Sequence, residues 1–448
     1  MMSPVEIWLR ERTGLTGMTS AGLSSWQVNR LREVIEYAAS RTRFYKGLDE
    51  TVSLTRLPFT TPADIVSDPA AFLAIPPGDV ARVTTLATSG TTGGRKRIFF
   101  SEEDLERIRV FFAVGMRTLV RSGQYTAILI SDTTESSLGS LLKSALARLG
   151  VESEIPVIRD AAQAIDAARG ADCLVGMPAE LLYMSCLVPD LRPGSVLLTA
   201  DYVPAAIIDR LRRTWNCRVY SHYGLTEVGF GFAVDCNSHE GHHYRAADFI
   251  VEIIDPLSGN PVDPGQSGEI VITSLSNEAM PLIRYRTGDR SRLIVAPCGC
   301  GGVAPRLGRI DGRLDKNGDP GDVWNVNIHR LDELLFADPD VRSFDAAWIR
   351  ENEAIGLRLT FDASRSFDEK TLRERLPHDL PIRIRHADFD PFLERGKRTI
   401  RPDLSRPDRA TTGSDSGCIP CSPQIERIEG GLRERSRRSG LPKSELLP

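Results

Sequence analysis

The sequence predicts an α/β protein in which a large compound N-terminal domain precedes a small α+β C-terminal domain. Its 448 residues are more than one hydrophobic core usually organises. Between residues 107 and 217, helical stretches alternate with short apolar runs, which favours βα units and a mostly parallel sheet. Between residues 244 and 294, apolar runs separated by Gly, Pro, Asn and Asp indicate an antiparallel β region. Residues 315–406 mix strand-like runs with one helix and supply the small domain.

A helix, a Pro-rich connection and a β-leaning segment precede the predicted βα units. Apolar residues between positions 26 and 37 recur largely at helical spacing and predict an amphipathic helix. A Pro-rich connection and a β-leaning segment at residues 83–86 come next. We expect an N-terminal domain over residues 1–314, a C-terminal domain over 315–406 and a tail over 407–448. The tail is polar and poor in large apolar residues, so we expect it to be flexible.

Composition and charge exclude several classes of protein. Hydrophobic residues make up 41% of the chain and charged residues 26%, which is ordinary for a globular protein. A net charge of -4 provides no broad field for a polyanion, so nucleic acid is not expected as a partner. No run approaches the roughly 20 apolar residues that cross a bilayer, and the N-terminus lacks a secretory core. We therefore expect a cytoplasmic protein with no membrane partner.

A Ser/Thr/Gly cluster follows the β-leaning segment and ends in two cations. Glycines let the backbone approach a polyphosphate, hydroxyls donate hydrogen bonds, and cations offset charge. The spacing differs from a Walker A motif, because Arg95 stands where that motif requires a glycine. A flexible surface loop would have the same composition. The candidate phosphate-binding residues are Thr88, Ser89, Gly90, Thr91, Thr92, Gly93 and Lys96.

Two further segments contain residues suited to a nucleotide. In the run SHYGLTE, Tyr223 could stack on a flat heterocycle, and Glu227 could bind a Mg²⁺ ion that bridges phosphate oxygens. Taken singly, a core tyrosine and a surface glutamate explain the same residues. In the run RYRTGD, Asp289 could accept both hydrogen bonds of a ribose diol, although this run alone is a charged turn.

Together, TSGTTG, YGLTE and YRTGD resemble, in order and spacing, the motifs of the ANL adenylate-forming superfamily. Within it, the resemblance is closest to the phenylacetate-CoA ligase family, with support from EAMPLIRYRTGD, the CGCG element and GRIDGRLD. It extends over about residues 5–405. It implies that ATP and Mg²⁺ activate a carboxylic acid as its acyl-AMP, which is then transferred to coenzyme A. It also implies a β-barrel-like antiparallel region and a mobile C-terminal domain.

The resemblance assigns a role to each matching residue. The loop at residues 88–96 would hold the β- and γ-phosphates of ATP, and Tyr223 would pack against adenine. Thr226 would contact the α-phosphate, and Glu227 would bind Mg²⁺. Other nucleotide contacts are expected from Ala200, Asp201 and Gly224 on the adenine side and from Asp289 and Arg313 on the ribose side. Asp201 is a shortened acid, because the family has a Gly-Ala-Glu-like sequence there.

A late Gly-Lys element supplies the candidate catalytic lysine. In this superfamily the small domain rotates about a hinge and carries a lysine into the adenylation step. Gly396 and Lys397 resemble that element, so Lys397 is the candidate, with an exposed lysine in a basic run as the alternative. Asp315 matches the hinge by position. The segment after it is longer than in the family and has Asn325 in place of a glycine, which alters contacts of the thioester stage.

Cysteines and histidines suggest a structural zinc site. Cys298 and Cys300 flank a glycine, which allows the tight turn that both thiolates need to reach one ion. Some phenylacetate-CoA ligase relatives share a Cys…His…CxCG arrangement, and counting back from the strand FIVEIID places their histidine at His243. The expected Zn²⁺ ligands are Cys236, His243, Cys298 and Cys300, with His239 and His242 as nearby candidates. Unlinked cysteines packed in a core are the alternative.

The resemblance leaves the acid and the acyl acceptor open. Phe230 and Phe232 favour a flat, apolar, aryl-like acid, although core packing would also explain them. The acyl pocket is expected around residues 131–137, 177–180 and 229–232. Transfer to an amine or a carrier protein is the alternative to coenzyme A, and a nucleotide-binding protein without turnover is an alternative of another class. A homodimer is left open.

Overall fold

The computed structural model describes residues 2–87, 95–130, 137–314, 326–351, 354–363, 369–393 and 395–401. Its helices in these ranges are α1 (Pro4–Thr13), α2 (Ser20–Arg41), α3 (Pro62–Ser67), α4 (Glu102–Met116), α5 (Leu138–Ala147), α6 (Ala161–Ala168), α7 (Pro178–Leu187), α8 (Ala205–Trp215), α9 (Ile328–Leu335) and α10 (Glu369–Arg375).

The strands are β1 (Arg82–Ala87), β2 (Arg95–Phe100), β3 (Tyr125–Ile128), β4 (Glu152–Glu154), β5 (Cys173–Gly176), β6 (Ser195–Leu198), β7 (Arg218–Tyr223), β8 (Ala233–Asp235), β9 (His242–Tyr244), β10 (Phe249–Ile254), β11 (Gly268–Ser274), β12 (Tyr285–Ser291), β13 (Leu293–Ile294), β14 (Arg306–Leu307), β15 (Gly312–Arg313), β16 (Val341–Glu351), β17 (Ala354–Ala363) and β18 (Ile382–His386).

A nine-stranded sheet forms the centre of the protein, in the order β13-β14-β9-β8-β7-β6-β5-β3-β4. The half from β4 to β7 is parallel, and the half from β7 to β13 is antiparallel. The parallel half alternates with helices, which confirms the predicted βα units. Because parallel strands share one carboxyl edge, the segments that follow β6 and β7 emerge side by side.

Helices cover both faces of the parallel half. On one face, α4 and α5 contribute apolar side chains such as Ile108 and Leu142 to a core with α2. On the other face, α6 contributes Ala164, α7 contributes Leu181, and α8 contributes Leu211 and Trp215. In the amphipathic helix α8, apolar residues recurring at helical spacing produce the buried face, whereas residues 178–185 of α7 are all buried.

The predicted antiparallel region is also confirmed. Strands β10, β11, β12 and β15 form a four-stranded antiparallel sheet. Strands β1 and β2 form a separate antiparallel pair, and the loop that joins them, residues 88–94, lies outside the described residues.

The C-terminal sheet packs against the large part of the chain. It contains β16, β17 and β18 and shares one hydrophobic core with α7 and α8. The buried guanidinium of Arg210, on α8, donates hydrogen bonds to the carbonyls of Val341 (2.6 Å), Asp338 (3.0 Å) and Phe336 (3.4 Å). The predicted boundary after residue 314 adjoins the undescribed segment 315–325, and the predicted tail at 407–448 lies outside the described residues.

The N-terminal helices extend further than the sequence pattern indicates. Helix α2 begins at Ser20, because the hydroxyl of Thr19 accepts a hydrogen bond from the backbone N–H of Gly22. In α1, the buried carboxylate of Glu6 accepts backbone hydrogen bonds from Val303 and Ala304 and so fixes a distant loop. Among the described residues, no helix combines the length and the apolar character needed to span a membrane.

Candidate active site and metal centre

The candidate phosphate loop is described only at its end. Thr88, Ser89, Gly90, Thr91, Thr92 and Gly93 lie outside the described residues. Lys96 lies in β2, and its side chain is buried against two other segments that the sequence marks as functional.

Lys96, Glu227 and Tyr285 form a buried polar cluster. The Lys96 ammonium is paired with the Glu227 carboxylate and donates a hydrogen bond to the Tyr285 hydroxyl (3.1 Å). The Tyr285 hydroxyl in turn donates to Glu227 Oε1 (2.7 Å). The three residues are 7%, 4% and 0% exposed. One predicted phosphate ligand and one predicted metal ligand therefore satisfy each other in this structure.

The charge state of Glu227 follows from these contacts. Burial opposes ionisation of the carboxyl, but the Lys96 ammonium and the Tyr285 hydroxyl outweigh it and hold the pKa of Glu227 below its ordinary value. Burial, together with the Glu227 charge, raises the pKa of Tyr285, so its hydroxyl keeps its proton and donates. Glu227 is thus an ionised carboxylate, which is the form that binds a hard cation.

A tight turn positions Glu227. The turn Thr226–Val228 is a single 3₁₀ turn that follows β7. A Cβ on Gly224 would lie 1.5 Å from the Phe230 carbonyl oxygen, so glycine is required for the chain to fold back on itself. Phe230 itself has φ 68°, a left-handed conformation that non-glycine residues seldom adopt. The turn is therefore held by its surroundings, and strained residues of this kind concentrate at functional sites.

Tyr223 and Asp289, predicted to contact adenine and ribose, meet directly. The Tyr223 hydroxyl donates to Asp289 Oδ2 (2.6 Å), and Arg313 Nε lies 3.6 Å from Asp289 Oδ1. Burial raises the pKa of Asp289, while Arg313, the Tyr223 hydroxyl and Lys397 oppose the rise. Because β12 pairs with β15, Asp289 and Arg313 are register partners across the sheet.

The Thr199-Ala200-Asp201 segment leaves β6 at the same edge. Ala200 has φ 68°, which places its backbone in the strained left-handed region. The Asp201 carboxylate accepts hydrogen bonds from the backbone N–H groups of Tyr202 (2.8 Å) and Arg398 (3.0 Å). Burial raises the pKa of Asp201, and these backbone donors oppose that rise. Asp201 thereby joins the central sheet to the C-terminal segment that contains Lys397.

Lys397 is exposed and lies at this same edge. Its positive charge opposes the rise that burial causes in the pKa of Asp289 and of Asp201. The neighbouring Arg398 anchors the segment, since its guanidinium pairs with Asp332 (2.9 Å) and donates to the Phe344 carbonyl (3.0 Å). The structure thus brings Lys397 together with the predicted adenine and ribose contacts.

Sequence reasoning missed several residues of this site. Tyr285 lies within the YRTGD run but was assigned no role, and its hydroxyl is the second partner of Glu227. His222 and Thr199 are paired through Nδ1 and Oγ1 (3.0 Å) beside the predicted nucleotide contacts. Burial, with the neighbouring His242, lowers the pKa of His222 to about 4, so the ring is neutral. The available signal was position in the sequence, since Tyr285 lies within a predicted motif, and Thr199 and His222 directly precede the predicted contacts Ala200 and Tyr223.

A small apolar cavity opens behind this edge, between α4, α5 and the central sheet. Its volume is about 40 Å³, and its lining includes Phe112, Met116, Leu142, Leu197, Thr199 and His222. Of the two aromatic residues expected near the acid, Phe232 is a core residue, stacked on Tyr244. Phe230 is half-buried and stacks on Phe100. Residues 131–136 of the expected pocket lie outside the described residues.

The four candidate zinc ligands converge at one point. The ligand atoms of Cys236, His243, Cys298 and Cys300 all lie within 4.8 Å of one another. Cys236 Sγ is 3.6 Å from Cys298 Sγ, and Cys300 Sγ is 3.5 Å from His243 Nε2. Zn–S and Zn–N bonds of about 2.3 and 2.0 Å give tetrahedral edges of roughly 3.5–3.8 Å. The spacing therefore fits a four-coordinate ion.

The histidine geometry distinguishes the three candidates. His243 Nδ1 donates to the Ala304 carbonyl (2.9 Å), which leaves Nε2 free of a proton and directed at the thiols. His242 bonds instead to the Ser221 hydroxyl (2.8 Å), and His239 bonds to Asp235 (2.6 Å). His243 is thus the one histidine of the three whose ring nitrogen lies in the cysteine cluster.

Comparison with known proteins gives a consistent result. No family model matches the chain. The chain is 28% identical to a phenylacetate-coenzyme A ligase of Thermus thermophilus over 348 residues, which are 71% of this chain and 76% of that protein. It is 27% identical to a phenylacetate-coenzyme A ligase of Pseudomonas putida over 333 residues, 65% of this chain and 71% of that protein.

Solved structures share the fold. A 2-hydroxyisobutyryl-CoA ligase in its postadenylation state, bound to an acyl-AMP, superposes with a TM-score of 0.68 at 18% identity, covering 84% of this chain and 88% of that one. The same ligase with acyl-AMP and CoA in the thioesterification state superposes with a TM-score of 0.61 at 19% identity, covering 90% of each chain.

Proposed function

We propose that the chain activates an apolar carboxylic acid with ATP and transfers the acyl group to coenzyme A, because it is similar in sequence to phenylacetate-CoA ligases and shares the fold of a 2-hydroxyisobutyryl-CoA ligase. The observation that carries the proposal is the convergence of Lys96, Glu227, Asp289 and Lys397, from four separate segments, at one edge of the central sheet. A set of positive and negative groups around one edge suits a magnesium-bound polyphosphate.

Each residue then has a task in the reaction. Asp289, held by the Tyr223 hydroxyl and by Arg313, is placed to accept the ribose hydroxyls. The strained backbone at Ala200 and the ring of Tyr223 border the adenine side. Thr226, on the turn before Glu227, is placed to donate to the α-phosphate. These groups orient the acid carboxylate for in-line attack on the α-phosphorus and stabilise the charge that develops there.

Glu227 has the chemistry of a magnesium ligand but is held by Lys96 in this structure. When bound, Mg²⁺ would neutralise charge on the phosphate oxygens. Lys96 and Glu227 would then separate, and the Lys96 ammonium would be released toward the phosphates while Tyr285 continues to orient the carboxylate. In this structure the Lys96 ammonium neutralises the buried Glu227 carboxylate, and a bound Mg²⁺ would supply the same compensation.

The proposed activity is tested by acid-dependent release of pyrophosphate from ATP in the presence of Mg²⁺. We expect release with at least one apolar acid, and formation of an acyl-CoA when coenzyme A is added. Acyl-AMP formation followed by transfer to an amine or a carrier protein, but not to coenzyme A, would contradict the acceptor. Tight ATP binding without pyrophosphate release from any acid would contradict the activity itself.

We propose that Cys236, His243, Cys298 and Cys300 hold a structural Zn²⁺ ion. Three thiols and one imidazole are a donor set that zinc prefers, and four protein ligands leave no position open for substrate. The ion would join the β8–β9 connection to the loop after β13. Glu6 already ties that loop to α1 through Val303 and Ala304, so the metal would stabilise the N-terminal part of the fold.

The zinc proposal predicts about one zinc per chain in the purified protein, measured by elemental analysis. Cys298→Ser should lose the metal and lower the melting temperature, because the remaining ligands bind it far more weakly. Cys418→Ser is the matched control and should keep it. His243→Ala should lose zinc and His242→Ala should not, since only the former ring lies among the thiols. Metal-free wild-type protein of normal stability would contradict the site.

The cytoplasm is the compartment that we propose for this reaction. ATP, coenzyme A and reduced thiols are all available there, and the described cysteines are free rather than paired in disulfides.

A further inference from the structure

The 40 Å³ cavity lies directly beside the proposed adenylation site. Thr199 and His222 line it, and each precedes a predicted nucleotide contact, Ala200 and Tyr223 respectively. They lie at the carboxyl ends of the paired parallel strands β6 and β7. The cavity therefore borders the proposed nucleotide contacts and extends between α4 and the sheet.

Each polar side chain that lines the cavity already has a partner in the part of the chain that the structure describes. The Asp235 carboxylate accepts a hydrogen bond from the backbone N–H of Cys236 (2.8 Å) and pairs with His239 (2.6 Å). Thr199 and His222 bond to each other, and the His222 ring also bonds to the backbone of Phe230. The Tyr220 hydroxyl donates to Asn237 (2.7 Å), and the Ser221 hydroxyl is bonded to His242. A hydroxyl or amine on the acyl group would have to give up its hydrogen bonds to water, so an unsubstituted hydrocarbon group fits.

One face of α4 forms a wall of the cavity. Glycines after the Glu227 turn let this helix lie directly on their backbone. A Cβ on Gly229 would lie 2.5 Å from Ile108 Cδ1, and a Cβ on Gly231 would lie 2.3 Å from Phe112 Cε1. Ile108 and Phe112 are one helical turn apart, but only Phe112 lines the cavity. The Phe112 ring thus fills space that a longer acyl group would need.

The volume of the cavity limits the size of the acyl group that it can hold. The volume of about 40 Å³ is well below that of a cavity that binds benzene, which measures about 150 Å³. Resting on the proposed adenylation activity, we propose that this cavity is the acyl pocket and that Phe112, packed against Gly231, restricts it to short aliphatic acids. This selects against the flat aromatic acid that the sequence favoured.

The experiment compares acids in acid-dependent exchange of pyrophosphate with ATP. The wild-type enzyme should have a higher kcat/KM for propionate, butyrate or isobutyrate than for benzoate or phenylacetate, by about tenfold or more. Phe112→Ala should reverse the order, because it frees the space of a benzene ring. Ile108→Ala, one turn away on the same face, is the control and should keep the wild-type order.

Phe112→Leu and Gly231→Ala test the same pocket with smaller changes in case Phe112→Ala does not fold. If Phe112→Ala does not fold, Phe112→Leu opens the pocket less and should raise the relative rate with the larger acids. Gly231→Ala presses the ring into the cavity and should impair isobutyrate more than propionate. Wild-type preference for an aromatic acid, with exchange intact, would overturn the pocket assignment and leave the proposed function standing. No exchange with any acid would instead contradict the proposed function.

Discussion

Glu227→Gln is expected to reduce Mg²⁺-dependent pyrophosphate release by roughly a thousandfold, since loss of one anionic metal ligand costs about 4 kcal/mol at the transition state. Two measurements test whether the loss of rate comes from weaker Mg²⁺ binding. The rate should fall at all Mg²⁺ concentrations, and the Mg²⁺ concentration for half-maximal activity should rise. The variant keeps the size of the side chain and its hydrogen bond from Tyr285.

Because Glu227 is paired with the buried Lys96, the Glu227→Gln experiment needs a stability control. With glutamine present, the Lys96 ammonium has no paired carboxylate, so the melting temperature should fall, and activity must be measured below the unfolding transition. Tyr285→Phe removes one hydrogen bond to the same Oε1 but no charge, and should cost less than about tenfold. A folded Glu227→Gln variant within tenfold of the wild type would remove Glu227 from the mechanism.

Lys397→Ala is expected to separate the two half-reactions. Its positive charge acts on the carboxyls of Asp289 and Asp201, at the edge of the sheet where charge would develop as the acyl-AMP bond forms. Formation of the adenylate should fall by about 100- to 1000-fold, the usual loss for one preorganised donor. Conversion of supplied acyl-AMP and coenzyme A to the thioester should stay close to the wild-type rate. Single-turnover assays of each step measure the two effects separately.

Neighbouring residues supply the comparison for Lys397. Thr399→Ala changes another exposed residue of the same segment and should leave both steps unchanged. Lys397→Arg keeps the charge and should recover part of the adenylation rate. An equal loss of both half-reactions in Lys397→Ala, accompanied by a lower melting temperature, would show that the residue has a structural role.

Much of the fold could be predicted from the sequence because its signals are local. Alternating helical and apolar runs between residues 107 and 217 correspond to β3 through α8, and the turn-separated runs after residue 244 correspond to β10, β11 and β12. Helix α2 was predicted too short, since its first residues, Ser20, Ala21 and Gly22, give no pattern of large apolar side chains, and its start is marked by the capping Thr19 instead.

The site was less accessible to sequence reasoning because its contacts are long-range. Glu227 and Lys96 each had a predicted role, but their pairing joins residues 131 positions apart and depends on how β2 meets the turn after β7. The choice between His242 and His243 depends on which face of β9 each side chain takes, and adjacent residues in a strand point to opposite faces. The size of the acyl pocket depends on packing against glycines, which composition does not reveal.

Helix α7 has a consequence for how the whole chain folds. Residues 178–185 are buried on every side, between the central sheet and the C-terminal sheet. A helix that is apolar all round is stable only when it is covered all round. The C-terminal strands therefore complete the hydrophobic core as well as presenting Lys397. A chain cut after Arg313 would leave one side of α7 bare, and that apolar surface would favour aggregation over a soluble N-terminal fragment.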